Sequence, residues 1–128
     1  MRRIFISYAR EDRAHAQKLL AALVETGVEG WMDATDIASG AAVSKAVRSA
    51  IERSGAIVVL LSPKSLHNKW VNFEVGAGLA LGRPIIPIIV EGPGLEHELQ
   101  ETLHGIHILD ARNRPIEQVA KDVEAALE

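Results

Sequence analysis

The chain has 128 residues, of which 48% are hydrophobic and 24% charged, and its formal net charge is −3. These values fit one globular domain with a substantial core and argue against a disordered chain. The negative charge gives nucleic-acid binding no electrostatic support, and the absence of cysteine excludes disulfides and thiolate metal sites. The longest apolar runs have only the length of strands, so we expect no signal peptide, no membrane span and a cytoplasmic location.

Strand-like and helix-like segments alternate from the amino terminus onward. Residues Arg3–Tyr8 predict a buried strand, and Glu11–Thr26 predict an amphipathic helix that Gly27 ends in a left-handed conformation. A short second strand is predicted at Gly30–Asp33, where we expect Trp31 to be a core residue. This opening already has the strand–helix–strand pattern of an α/β protein.

The third predicted strand, Ala56–Ser62, is apolar on both faces, which is typical of a central parallel strand covered on two sides. It follows a loop at Ala34–Gly40 and a helix at Ala41–Arg53 that Ser39 can cap. The remaining predicted elements are a helix at Trp70–Leu81, a strand at Ile85–Val90, a short helix at Leu95–Leu103, a strand at Ile106–Leu109 and a helix at Ile116–Leu127.

This alternation predicts an α/β, flavodoxin-like three-layer fold with a five-stranded parallel sheet in the order 2-1-3-4-5. We expect it to form a single domain over residues 1–128. Such sheets bind ligands beyond the carboxyl ends of the strands, where the strand order reverses, here between strands one and three. Residues 7–10 and Ser62-Pro63 would then border the crevice, with Glu74 on the helix that follows strand three.

Glu74 is the candidate catalytic residue. It follows Trp70 by four residues, about one helical turn, so the carboxylate and the indole lie on the same helix face. Such a pair could hold a ribosyl-nicotinamide. A glutamate near the start of a helix is also a common dipole-stabilising surface residue, and its position alone leaves both interpretations open. The five histidines have no recognised ligand spacing, so we expect no metal site, with His97, His104 and His107 as the minor alternative.

In combination, these segments resemble a Toll/interleukin-1 receptor (TIR) domain of the bacterial kind. The matching segments occur in order over nearly the whole chain, and it is their combination that is specific. They are Phe5-Ile6-Ser7-Tyr8, Trp31-Met32-Asp33, the loop Asp36-Ile37-Ala38-Ser39-Gly40, Leu60-Leu61-Ser62-Pro63, Trp70 with Glu74, and the segment from Gly82-Arg83-Pro84 to Pro87.

The resemblance implies one of two activities. Some TIR domains are signalling adaptors that act only by assembling with other TIR domains. Others cleave the nicotinamide–ribose bond of NAD⁺, releasing nicotinamide with ADP-ribose or a cyclic isomer, and need an acid at the position that Glu74 matches. Asp36, Ile37, Ala38, Ser39 and Gly40 match the loop that mediates assembly. The implied substrate-binding residues are Tyr8, Ala9, Arg10, Asp33, Leu61, Ser62 and Trp70.

Two positions depart from the NAD⁺-cleaving relatives. Ala9 stands where some of them have a basic residue, which leaves Arg10 as the main candidate cation for the pyrophosphate. Ala38 stands where some have an acid. Both departures bear on how strongly the substrate would be held.

The resulting expectation is a self-associating NAD⁺ glycohydrolase or cyclase, with NAD⁺ as its substrate and no cofactor. Other TIR domains and a sensor domain or protein are the expected partners, and a role in bacterial immunity would fit the family. A non-catalytic TIR–TIR interaction module is the first alternative. A flavodoxin-like enzyme acting on nucleosides, such as a deoxyribosyl transferase, is the second, although Trp31–Asp33 and Asp36–Gly40 argue against it. The sequence leaves open whether the product is linear or cyclic.

Overall fold

The computed structural model describes residues 2–32, 48–65, 81–92 and 108–127. Within these ranges, a short 3-10 helix at Arg10–Asp12 leads into helix α1, Arg13–Glu25, and the C-terminal helix α2 spans Ile116–Ala126. Residues 48–52 are also helical. The strands are β1 at Arg2–Ser7, β2 at Val28–Trp31, β3 at Ala56–Leu61, β4 at Ile85–Ile89 and β5 at Leu109–Asp110.

The five strands form one parallel sheet in the order β2-β1-β3-β4-β5, which confirms the predicted topology. The central strand β3 is buried along all six of its residues, as its continuous apolar sequence predicts. Helices α1 and α2 pack against each other and against one face of the sheet. The core on this face includes Ile4, Ile6, Leu19, Leu23, Val58, Leu60, Ile88, Val119 and Val123.

The boundaries of the first half differ in detail from the prediction. Helix α1 begins at Arg13, after the 3-10 helix, whereas the apolar periodicity predicts a start at Glu11. Gly27 ends the helix region with a φ of +91°, in the left-handed range that was predicted. The second strand occupies Val28–Trp31, two residues earlier than expected, because Val28 pairs with Arg2 of β1.

The prediction that Trp31 is a core residue is wrong. Strand β2 lies at the edge of the sheet, and Trp31 is 37% exposed. Strand β5 spans Leu109–Asp110, pairs with Ile88 and Ile89 of β4, and ends one residue later than predicted; residues 106 and 107 of the prediction lie outside the described residues. The predicted strand Ile106–Leu109 stops before the charged Asp110, but a strand pairs through its backbone, and Asp110 pairs with Ile89.

Several predicted elements lie outside the described residues: the loop at Ala34–Gly40, most of the helix at Ala41–Arg53, the helix at Trp70–Leu81 apart from its last residue, and the helix at Leu95–Leu103. Among the residues described, no helix is both long and apolar enough to cross a membrane. The single domain over residues 1–128 stays a prediction.

Candidate functional site

The segments that leave β1, β3 and β4 emerge at the same end of the sheet, the end formed by the carboxyl ends of the strands, because all three strands are parallel. After β1 the chain crosses to β2 on one side, and β3 lies on the other side of β1. The strand order therefore reverses between β1 and β3, where doubly wound sheets bind their ligands. Residues 8–12 and 62–65 border this point.

Five of the predicted substrate-binding residues lie at this carboxyl end of the sheet. Tyr8 and Ala9 are buried in the segment after β1, and Leu61 and Ser62 are buried at the end of β3. Arg10 is exposed. Since Ser7 pairs with Val59, the two segments continue side by side from neighbouring strands. Of these five residues, Arg10 alone has an exposed side chain.

Asp12 is a site residue that the sequence reasoning missed. Its carboxylate oxygen Oδ2 accepts the hydroxyl hydrogen of Ser62 at 2.5 Å, and both residues are almost completely buried. The apolar periodicity only places Asp12 inside the predicted helix Glu11–Thr26 and assigns it no role. The available signal was topological, because an acid in the segment after β1 faces a polar residue that ends the neighbouring strand β3.

Ser62 also begins a tight turn with Ser65. The backbone N–H of Ser62 donates to Ser65 Oγ at 2.9 Å, and Ser65 Oγ donates to the carbonyl oxygen of Ser62 at 3.1 Å. The backbone N–H of Ser65 lies 3.3 Å from Ser62 Oγ and 3.2 Å from the carbonyl oxygen. Ser62 thus ends β3 through a side-chain turn.

A second contact joins α1 to the segment after β4. The ring nitrogen Nε2 of His15 lies 3.3 Å from Glu91 Oε1. Together with Asp12, these side chains place three potential metal-ligand atoms within 4.8 Å of one another. Each has a protein partner, so the cluster is explained without an ion. His97, His104 and His107 lie outside the described residues.

Two cavities were not expected from the sequence. One of about 370 Å³ lies between α1, α2 and the end of β4, with His15, Lys18, Arg112 and Arg114 among its lining residues. The other, of about 390 Å³, lies at the opposite end of the sheet, where β3 and β4 begin, and is lined in part by Arg3, Arg53 and Arg83. Arg112 and Arg114 pair with Asp110 and Asp122, and Arg3 pairs with Glu29. Both arginines of the first cavity and Arg3 of the second thus have a carboxylate partner.

The other predicted site residues lie outside the described residues: Asp33, Asp36, Ile37, Ala38, Ser39, Gly40, Trp70 and Glu74. Their roles stay predictions. What the structure describes is the framework from which the segment carrying Trp70 and Glu74 departs, namely the end of β3 and the Ser62–Ser65 turn.

The parallel sheet and its strand order are those of a flavodoxin-like α/β domain, a class of fold that binds ligands where the strand order reverses. The family model of the TIR domain matches residues 4–127. The chain therefore belongs to the TIR domain family. Among proteins of curated function, none matches the sequence significantly.

Solved structures share this fold. The TIR domain of the Toll-related receptor TRR-2 from Hydra magnipapillata is 25% identical, with a TM-score of 0.68 over 97% of this chain and 90% of that chain. The RPS4 and RRS1 TIR domain heterodimer gives 16% identity and a TM-score of 0.73 over 98% and 97%. A 2-desoxiribosyltransferase from Leishmania mexicana gives 19% identity and a TM-score of 0.69 over 98% of both chains. The last two likenesses concern the fold alone.

Proposed function

We propose that this TIR domain cleaves the nicotinamide–ribose bond of NAD⁺, with Glu74 as the catalytic residue, and that self-association activates it. The observation that supports the proposal most is the strand order, with its reversal between β1 and β3. Ligands bind at such a reversal, and the segment that leaves β3 there leads to Trp70 and Glu74. Family membership adds to this support.

The chemistry asks for one well-placed carboxylate. When the bond between ribose C1′ and the nicotinamide nitrogen breaks, its electron pair goes to the nicotinamide, and positive charge builds on the ribose. A fixed carboxylate beside the ribose stabilises that charge. Nicotinamide leaves as a neutral molecule and needs no proton, so neither a second acid nor a cofactor is required. Water, which loses a proton to the solvent, then attacks C1′ to give the linear product, or a nitrogen of the adenine attacks it to give the cyclic product.

The remaining predicted residues take supporting roles in this proposal. Arg10 is exposed in the segment after β1, where its guanidinium can pair with the pyrophosphate. Trp70 stacks beside the nicotinamide. Asp33 and the backbone around Tyr8, Ala9 and Leu61 complete the pocket wall.

Assembly is the second part of the proposal. Two TIR domains form a heterodimer in the RPS4–RRS1 structure. For this chain we propose homotypic assembly through the loop Asp36–Gly40, triggered by a sensor domain or protein in the cytoplasm. A role in bacterial immunity is consistent with that arrangement.

The test is incubation with NAD⁺ and chromatographic separation of the products over a range of protein concentrations. The wild type is expected to release nicotinamide with a specific activity that rises with concentration. Glu74→Ala is expected to lose at least about a hundredfold in kcat, because a preorganised charge is removed. Glu117→Ala is the matched control, since Glu117 lies in the first turn of α2 and is exposed, like a glutamate that only stabilises a helix dipole. Full activity in Glu74→Ala would refute the catalytic assignment.

The same samples test the alternatives. A non-catalytic interaction module would assemble without releasing nicotinamide, and changes at Ile37 or Gly40 would abolish that assembly. A nucleoside enzyme is the second candidate, because the fold is also that of a 2-desoxiribosyltransferase. Incubation with deoxyribonucleosides and a free base as acceptor would reveal it by base exchange.

A further inference from the structure

Asp12 immediately precedes α1, at the position where an aspartate usually caps a helix. Its side chain makes no capping hydrogen bond to α1. Instead, its carboxylate accepts the hydroxyl hydrogen of Ser62, a residue fifty positions further along the chain. Asp12 therefore joins the segments that follow β1 and β3 and does not cap its own helix.

The direction of this hydrogen bond limits what Ser62 can do. A serine hydroxyl has one hydrogen, and Ser62 gives it to Asp12. The same oxygen lies 3.3 Å from the backbone N–H of Ser65, from which it can accept. Ser62 therefore has no hydrogen to donate to a phosphate or ribose oxygen while this bond is intact. Since Ser62 is also 0% exposed, its contribution to a reaction lies in its position.

The contact with Asp12 is continued by the Ser62–Ser65 turn. Reciprocal hydrogen bonds between the two serines fix the backbone where the chain leaves β3. One turn after Asp12 on α1, His15 contacts Glu91, which follows β4. The start of α1 thereby connects to the segments after both β3 and β4, at the carboxyl ends of the strands.

We infer that Asp12 is a positioning residue for the proposed reaction. Through Ser62 and the turn to Ser65, it sets the path by which the chain leaves β3 toward Glu74, and so orients the catalytic carboxylate. The inference rests on the proposed NAD⁺ cleavage. It goes beyond that proposal in two respects. Asp12, which is not among the predicted substrate-binding residues, controls the geometry, and Ser62 has a positioning role instead of contacting the substrate.

The test is a double-mutant cycle on the active, assembled protein, with kcat and KM measured for Asp12→Ala, Ser62→Ala and the combined variant. Each single change is expected to lower kcat about tenfold and to change KM less than about twofold, because the carboxylate is misplaced while the substrate contacts remain. The combined variant is expected to be no slower than the slower single variant, since both changes remove the same bond. Ser62→Thr, which keeps a hydroxyl, is expected to recover most of the kcat.

Ser54→Ala is the matched control. Ser54 is also a buried serine, and its hydroxyl donates to the carbonyl oxygen of Ala50 at 2.7 Å. It precedes β3 and therefore lies at the opposite end of the sheet from Ser62. It is expected to lose stability as Ser62→Ala does while keeping the wild-type kcat. Amide hydrogen exchange supplies a readout other than activity: the Ser65 amide is expected to exchange faster in Asp12→Ala and unchanged in Ser54→Ala.

The outcomes separate the inference from the proposed function. If Glu74→Ala is inactive but Asp12→Ala and Ser62→Ala keep the wild-type kcat, the inference is overturned and the proposed function stands. Multiplying losses in the combined variant, or an equal loss in Ser54→Ala, would overturn it too. An inactive wild type refutes both. Should Asp12→Ala fail to fold, Asp12→Asn keeps an acceptor of lower charge, and its kcat must then lie between those of the wild type and Ser62→Ala.

Discussion

Arg112 holds Asp110 in a bidentate ion pair where β5 ends. Its Nε and Nη2 lie 3.0 and 2.9 Å from the two carboxylate oxygens, and its backbone N–H donates to Asp110 Oδ1 at 2.9 Å. The remaining guanidinium nitrogen, Nη1, donates to the carbonyl oxygen of Gly92 at 2.7 Å. The pair therefore joins the end of β5 to the turn that follows β4.

This ion pair predicts a pH dependence of stability. The side-chain hydrogen bond from Arg112, followed by its backbone hydrogen bond, lowers the pKa of Asp110 from 3.8 to about 2. A pKa that is lower in the folded state means that the stabilisation is present above about pH 4 and is lost as the pH falls toward 2. Because the Asp110 side chain is 51% exposed, solvent screening keeps the effect small. Asp110→Asn should lower the free energy of unfolding at pH 7 by at most about 1 kcal/mol.

Urea denaturation from pH 7 to 2 checks this expectation, because the difference between wild type and Asp110→Asn should shrink below pH 4. Arg112→Lys is the companion variant, since lysine keeps the charge but loses the planar fork. An NMR titration of Asp110 should show a higher pKa in Arg112→Lys than in the wild type. A wild-type pKa near 3.8 would contradict the argument.

Gly27 ends α1 with a φ of +91°, which side-chain-bearing residues rarely adopt. A Cβ built at Gly27 meets nothing within 4 Å, so a substitution is opposed by backbone strain alone. Gly27→Ala should lower the free energy of unfolding by about 1 kcal/mol, and Gly27→Asn by less, because asparagine tolerates this region better. Gly55→Ala is the control: its Cβ would lie at an ordinary 3.5 Å from the carbonyl oxygen of Arg3, without a positive φ. Equal losses in urea denaturation for Gly27→Ala and Gly55→Ala would refute the strain argument.

Leu23 and Val24 are neighbours on α1 with opposite environments. Leu23 is 0% exposed in the core beneath the helix, whereas Val24 is 59% exposed. Leu23→Ala should lower the free energy of unfolding by about 2–5 kcal/mol, because it removes buried atoms and leaves a cavity. Val24→Ala should stay within about 0.5 kcal/mol of the wild type. Similar effects of the two changes in thermal or urea denaturation would mean that α1 does not pack on the sheet as described.

The topology could be predicted from the sequence because it depends on strong, local patterns. The apolar run of β3 indicates a strand buried on both faces, and the alternation of strands and helices then favours the order with β3 beside β1. Gly27 was recognisable for the same reason, since a helix end needs a residue that tolerates positive φ. From this topology, the adjacency of residues 8–10 to Leu61 and Ser62 followed directly.

What the sequence could not supply depends on contacts between distant segments. The exposure of Trp31 follows from the edge position of β2, which a tryptophan inside a short strand does not reveal. Asp12 resembles an ordinary helix-start acid, and neither its burial nor its hydrogen bond to Ser62, fifty residues further along the chain, is visible in the local sequence. The assignment of Glu74 comes from the family pattern, and the experiments proposed above decide it.

Arg10 supplies the last prediction, which concerns substrate binding. It is the exposed cation of the segment after β1, beside the buried Ala9. If its guanidinium pairs with the pyrophosphate of NAD⁺, Arg10→Ala should raise KM about tenfold and leave kcat within about twofold, because the contact is the same in the ground and transition states. Arg10→Lys should lie between, since it keeps the charge without the bidentate geometry.

Arg48→Ala is the matched control for Arg10→Ala. Arg48 is an exposed arginine paired with Glu52 one helical turn later, and its loss should leave KM unchanged. Raising the ionic strength should increase the KM of the wild type more than that of Arg10→Ala, because salt screens the attraction that only the wild type has. A lower kcat with unchanged KM in Arg10→Ala would instead place Arg10 in the chemical step, since only interactions made in the transition state change kcat alone.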